Sequence, residues 1–221
     1  ITVPQMLVDS AHINPHKPCT IYKGSVISYQ EMDQLANRLA VALIHQGIQT
    51  GNRVGILLPN LPQFVLAYFS ILKAGAVVVA INPQYKSKEI EYQLNDSDIH
   101  HLIALAESYP LLQQLQPLTP LKSIILTDLN DEFSFHPPDN NQPTTSIDNL
   151  RHPPIATGDC WLTDLIDQVP AYAVPTITLT PGQNALFQYS GGTTGTPKAA
   201  MASHQNLVAN ALQMRYWLVN T

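Results

Sequence analysis

Cysteine is scarce in this chain. Cys19 and Cys160 are the only two among 221 residues, they lie far apart, and no C-x-x-C occurs. That excludes a disulfide scaffold, and both read as free thiols of a reducing, cytoplasmic compartment. Positive charge is also thin: eleven Lys and Arg stand against sixteen Asp and Glu, for a net charge of −5. A nucleic-acid surface needs a basic stripe to displace counterions, so nucleic acid is not the expected partner, although a local basic pocket remains compatible with the balance. Ile1 to Ser10 lacks the basic start and small-residue cleavage site of a secretory leader. A long uninterrupted apolar run is missing too. The nearest approach, Phe64 to Ile81, carries Lys73 and Gly75 in its middle and is ended by Asn82-Pro83. A spanning helix wants about 20 apolar residues, so a helix followed by a buried strand is expected here, with no transmembrane segment. Peripheral association with a membrane is left open by that reading. No internal repeat is visible.

What is present is an apolar fraction of 45% in a chain long enough to bury a sizeable core. Ser28-Tyr29-Gln30-Glu31 has the form of a capping box. Met32, Leu35, Ala36, Leu39, Ala40 and Leu43 then recur at helical spacing up to Gly47, a suitable left-handed stop. Val54–Leu58 reads as a strand covered on both faces. The alternation continues through a helix at 60–74 with Pro62 in its first turn, a strand at 76–80, a helix at 87–95 and a strand at 101–105. A short helix at 109–116 and a strand at 123–127 follow. Strands alternating with helices predict an α/β fold, with a mostly parallel sheet flanked by helices. Residues 131–159 hold five prolines and many Asn, Asp, Ser and Thr, and read as a long surface loop. One helix is expected over 159–168, packing Trp161 and Leu165 on the body. A strand follows at 185–189, and then a helix capped by Ser203.

Between those last two elements lies YSGGTTGTPK, Tyr189 to Lys198. Gly191, Gly192 and Gly195 allow positive φ and let a ligand approach the backbone. Successive N–H groups in such a turn form an anion-binding nest. Ser190, Thr193, Thr194 and Thr196 add hydroxyl donors, and Lys198 adds a mobile point charge. In a strand–loop–helix setting this mixture suits a polyphosphate, with a divalent cation sharing the charge. It is not a Walker loop, because Thr196 stands at the second required glycine and Ala199 follows the lysine. The adjacent-then-three glycine spacing also fails the dinucleotide pattern. Both failures count against a simple P-loop NTPase.

The stretch resembles the characteristic loop of adenylate-forming enzymes, the acyl-CoA synthetase and luciferase-like superfamily, roughly Y-T-[SG]-G-T-T-G-x-P-K-G. Tyr189, Gly192, Thr193, Thr194, Gly195, Pro197 and Lys198 match, and Ser190 stands for the threonine. Gly191 stands where many members have serine, as is familiar from long-chain fatty acid–CoA ligases. Ala200 to Asn206 is similar to the G-A-M-x-[TS]-H-x-N that follows in those ligases. Further blocks agree in order at 28–54, at 57–83 and at 89–97. Asn52, Gln63, Ala80 and Asn184 depart from the pattern, as does Ala199, where the family has glycine. If that glycine needs positive φ, alanine there would be strained.

The resemblance implies ATP-dependent activation of a carboxylate, expected to be a long-chain fatty acid, to an acyl-adenylate and then to its coenzyme A thioester. Ser190, Thr193, Thr194 and Lys198 would hold the β- and γ-phosphates, and Gly191, Gly192 and Gly195 would make backbone contacts. Lys198 is the expected catalytic residue. ATP, Mg²⁺ and coenzyme A are the implied cofactor and co-substrates, and no residue here is assigned as a metal ligand. Residues 1–221 would form the first part of the N-terminal, AMP-binding domain. In the family the adenine and ribose contacts, the magnesium-binding glutamate, the acyl pocket and a C-terminal catalytic lysine lie further along. The C-terminal domain is therefore expected to be absent, and this chain inactive alone. An aryl- or amino-acid-activating member, or a homologue that binds without turnover, are the competing readings.

The remaining polar residues carry plainer expectations. His100-His101 opens a strand without an orienting carboxylate, so both read as structural. His204 is placed to support the loop from behind. Asp131, Glu132, His136 and Asp139 lack metal-ligand spacing and read as a solvated loop. Tyr68 and Phe69 read as core.

Overall fold

The computed structural model describes residues 1–129, 131, 152–190 and 197–219. Its centre is a seven-stranded sheet, joined to a two-stranded hairpin near the N-terminus. In chain order the elements are helix α1 (Val3–Ile13), strands β1 (Pro18–Tyr22) and β2 (Ser25–Ser28), α2 (Tyr29–His45), β3 (Arg53–Leu57), α3 (Pro62–Lys73) and β4 (Val77–Ala80). Then come α4 (Ser87–Asp96), β5 (His101–Leu105), α5 (Tyr109–Leu115), β6 (Ser123–Thr127), β7 (Cys160–Trp161), α6 (Leu162–Asp167), β8 (Asn184–Tyr189), β9 (Ala199–Ser203) and α7 (His204–Val219). The large sheet runs β7-β6-β5-β3-β4-β8-β9. Every pairing in it is parallel except β8 with β9. The α/β reading with a mostly parallel sheet is therefore correct.

Alternation along the strands divides the apolar side chains between two cores. On β5, Ile103 and Leu105 face the core built with α2, α3 and α6, while Leu102 and Ala104 face the one built with α4 and α5. Gly55 on the central strand is there for space: a Cβ would lie 2.5 Å from Leu102 Cδ1. The run Phe64–Ile81 is divided between α3 and β4, and among the described residues no helix is long and apolar enough to cross a membrane.

The local signals read from sequence are realised in detail. Glu31 N–H donates to Ser28 Oγ at 3.3 Å and Ser28 N–H to Glu31 Oε2 at 2.8 Å, closing the capping box. At the other end of α2, Ile48 N–H reaches Leu43 C=O at 3.1 Å and Gly47 N–H reaches Ile44 C=O at 2.9 Å, with Gly47 at φ +89°. That is a Schellman turn, and the left-handed residue it needs is the glycine.

Three features differ from expectation, and a fourth, at the N-terminus, was not foreseen. Residues 1–27 hold α1 and the β1–β2 hairpin, whose turn places both Lys23 and Gly24 at positive φ; those are the values a two-residue type I′ turn requires. The helix expected over 159–168 begins only at Leu162, because Cys160–Trp161 adds to the edge of β6. Trp161 and Leu165 are both buried, but in opposite cores. Within 131–159 the described end is pinned: Trp161 Nε1–H donates to Pro153 C=O at 3.3 Å, and Ala156 N–H donates to the Tyr109 hydroxyl at 2.9 Å. Residues 132–151 lie outside the described residues. Finally, the Gly-Thr loop leads not into a helix but into β9, an antiparallel partner of β8.

Candidate active site

β8 ends at Tyr189, at the carboxyl end of the parallel strands, where open α/β sheets bind their ligands. Ser190 lies just beyond that end, and the chain is back in the sheet from Ala199. Tyr189 pairs with Ala199 across the two strands, and Ser190 N–H donates to Lys198 C=O at 3.2 Å, closing the neck of the loop. Ser190 and Lys198 are exposed at that neck. Gly191, Gly192, Thr193, Thr194, Gly195 and Thr196 lie outside the described residues.

The neck is braced from below by the last turn of α4. Tyr189 is 6% exposed. Its hydroxyl donates to Asp96 Oδ2 at 2.5 Å and sits 2.6 Å from Ser97 Oγ. Burial first, and then the Asp96 carboxylate, push its pKa up to about 12. The phenol is therefore neutral at physiological pH and anchors the strand rather than exchanging protons. Tyr92 packs edge-on against its ring, with centroids 6.4 Å apart, and donates its hydroxyl to Pro197 C=O at 2.9 Å. None of these α4 contacts was found in the sequence. The pairs lie about a hundred positions apart, and no periodicity relates them.

Ala199 opens β9, half-buried against the core that holds Tyr189. Among described non-glycine residues, only Lys23 and Asp98 have positive φ. Alanine at 199 therefore carries no left-handed strain.

The histidines sit elsewhere. β9 is antiparallel, so Ser203 pairs with Asn184 at the start of β8. His204 thus lies at the opposite end of the sheet from the loop, five residues and about 16 Å along the strand. It does not support the loop from behind. It is 1% exposed and its Nδ1 accepts Val3 N–H at 3.4 Å, tying α7 to the start of α1. Burial lowers its pKa, so it is held neutral, as that acceptor role requires. α7 begins at that far end, so its N-terminus is not at the loop. His101 opens β5 at the same far end, and His100 lies 3.2 Å from Asp98. Asp131 accepts from Thr127 Oγ1–H at 2.7 Å and Asp128 N–H at 2.8 Å, closing the end of β6; Glu132, His136 and Asp139 lie outside the described residues. Among the described residues no group of three or more His, Cys, Asp or Glu could hold a metal. Tyr68 and Phe69 are half-buried and packed against the core.

A loop of glycines and hydroxyls ending in an exposed lysine, rooted at the carboxyl end of a parallel strand, fits a nucleotide phosphate. The family model described as AMP-binding enzyme matches residues 7–221. The chain belongs to that family. Among curated relatives, a long-chain-fatty-acid–CoA ligase of Bacillus subtilis is 33% identical, over 98% of this chain and 39% of the relative. A crotonobetaine/carnitine–CoA ligase of Shigella flexneri is 32% identical, over 92% of this chain and 37% of the relative. The chain thus spans well under half the length of the curated relatives it matches. A solved long-chain-fatty-acid–CoA ligase from Archaeoglobus fulgidus superposes with a TM-score of 0.75 at 24% identity, over 97% of this chain and 39% of that one. An anthranilate CoA ligase in complex with anthranoyl-AMP does so with a TM-score of 0.76 at 22% identity, over 93% and 35%. At those identities the structural likeness speaks for the fold alone.

Proposed function

We propose that the full-length protein is an ATP-dependent carboxylate–CoA ligase acting on long-chain fatty acids, and that residues 1–221 form the first part of its AMP-binding domain. The observation that carries this is the loop Ser190–Lys198 at the carboxyl end of β8, with Lys198 exposed at its neck. The carboxylate attacks the α-phosphorus of ATP, forming an acyl-adenylate and releasing pyrophosphate. The thiol of coenzyme A then displaces AMP to give the thioester.

Charge on the departing pyrophosphate is what the protein must stabilise, and fixed N–H groups, hydroxyls and a lysine do so with little reorganisation. In this reading Ser190, Thr193, Thr194 and Lys198 contact the β- and γ-phosphates, and Gly191, Gly192 and Gly195 present backbone N–H groups. Mg²⁺ bound with ATP would share that charge. The enzyme works in the cytoplasm, and peripheral contact with a membrane would bring it to fatty substrates. The whole reaction belongs to the full-length protein, and this chain alone is expected to make no acyl-CoA.

A strained Ala199 would favour the competing reading of binding without turnover, and the extended backbone there carries no such strain. The test is a thioester assay on the full-length protein with ATP, Mg²⁺, coenzyme A and carboxylates of graded chain length. Activity rising to long chains, and lost in Lys198→Ala, is expected. Silence from a folded protein across all carboxylates would overturn the proposal.

A further inference from the structure

We infer that Tyr92 on α4 is a positioning residue for Lys198, acting through the carbonyl of Pro197; this rests on the phosphate-binding reading of the loop. Lys198 lies between two peptide units, and both are held. The unit after it is fixed by Ser190 N–H donating to Lys198 C=O at 3.2 Å and by the pairing of Ala199 with Tyr189. The unit before it contains Pro197 C=O, which accepts the Tyr92 hydroxyl at 2.9 Å. Pro197 itself has its φ set by its ring. Only the lysine side chain is then left free to follow a phosphate.

Tyr92 suits this task because its other face is also fixed. The ring stands edge-on to Tyr189, at an interplanar angle of 79°. Asp96, which accepts the Tyr189 hydrogen bond, also lies 3.4 Å from the Tyr92 oxygen, farther than Pro197. A phenol has one proton to give, and the shorter contact takes it. Without that bond the 197–198 peptide can rotate, and Lys198 can sample positions that miss the phosphates. Tyr92 touches no substrate in this arrangement.

The test is a double-mutant cycle in the full-length enzyme. Tyr92→Phe removes the hydroxyl and keeps the ring against Tyr189. It is expected to lower kcat/KM for ATP and the rate of ATP–pyrophosphate exchange by about five- to tenfold, the range for one lost hydrogen bond. KM for the carboxylate and for coenzyme A should stay within about twofold, and Tm should stay near wild type. In a Lys198→Ala background the same change should have almost no further effect, because its target is gone. Tyr92→Phe without effect on ATP kinetics, while Lys198→Ala is impaired, overturns the inference and spares the loop reading. So does a loss that is additive with Lys198→Ala or spread equally over all three substrates, which would mark a merely structural role. Lys198→Ala without effect on ATP would overturn the loop reading itself, and this inference with it.

Discussion

The two ends of the large sheet treat their polar groups in opposite ways. At the end where β4 begins, Lys73 is 6% exposed and donates to Asp33 Oδ1 at 2.7 Å and Asn37 Oδ1 at 2.6 Å, stitching α3 to α2. A groove of about 460 Å³ reaches Lys73, Asp33 and Asn37, yet the three satisfy one another. At the loop end, buried Tyr189 and Ser97, half-buried Tyr92 and exposed Asp96 brace the neck, while Ser190 and Lys198 face solvent. Where polar groups serve stability they are buried and answer each other. At the proposed phosphate site they are left outward on a braced backbone.

That contrast breaks if a loop-end substitution costs stability, or a far-end one costs only activity. The largest effect is expected for Lys198→Ala: kcat/KM for ATP should fall by about 10²–10³-fold, as for the loss of one preorganised donor to a departing oxyanion, with the urea midpoint unchanged. Kinetics and denaturation on the same preparation check both halves. Lys73→Ala should do the reverse. It leaves Asp33 and Asn37 without their partner, and about 2–3 kcal/mol of stability should disappear, below the full value for a deeply buried pair because Asp33 is 18% exposed. A Lys73→Ala protein of wild-type stability would show that the triad is idle.

Short-range signals were the more legible from sequence, for a physical reason. Caps and Schellman turns are written within six residues, so Ser28, Glu31 and Gly47 declare their element and its limits. The loop's brace joins Tyr92 to Pro197 and Asp96 to Tyr189, and nothing local announces either pair. β9 was invisible because Ala-Ala-Met-Ala-Ser has no strand preference of its own, and β8 supplies the partner. Missing that strand misplaced His204, since five extended residues carry the chain to the other end of the sheet. α1 and the hairpin escaped notice for a different reason: Lys23-Gly24 is a fair turn, but the residues around it do not alternate cleanly. The Gly-Thr loop was legible as a candidate phosphate site because that chemistry is a property of residue types in order.

Two smaller substitutions sharpen the comparison, because each changes a single methyl group. Gly47→Ala forces a Cβ into a backbone at φ +89° and should cost about 1 kcal/mol or slightly more, read as a lower urea midpoint with ATP kinetics untouched. Ala199→Gly is the mirror case at the loop end. It restores the residue the family carries, and a strained alanine would make the change stabilising and activating. The extended pairing of Ala199 with Tyr189 argues the other way. Glycine gains no needed freedom in a strand and loosens the unfolded chain, so stability should drop by about 0.5–1 kcal/mol, with kcat/KM for ATP within about twofold of wild type. An increase in activity of tenfold or more would mean that the methyl group crowds the phosphates, and that the neck is not the relaxed strand pairing its backbone describes.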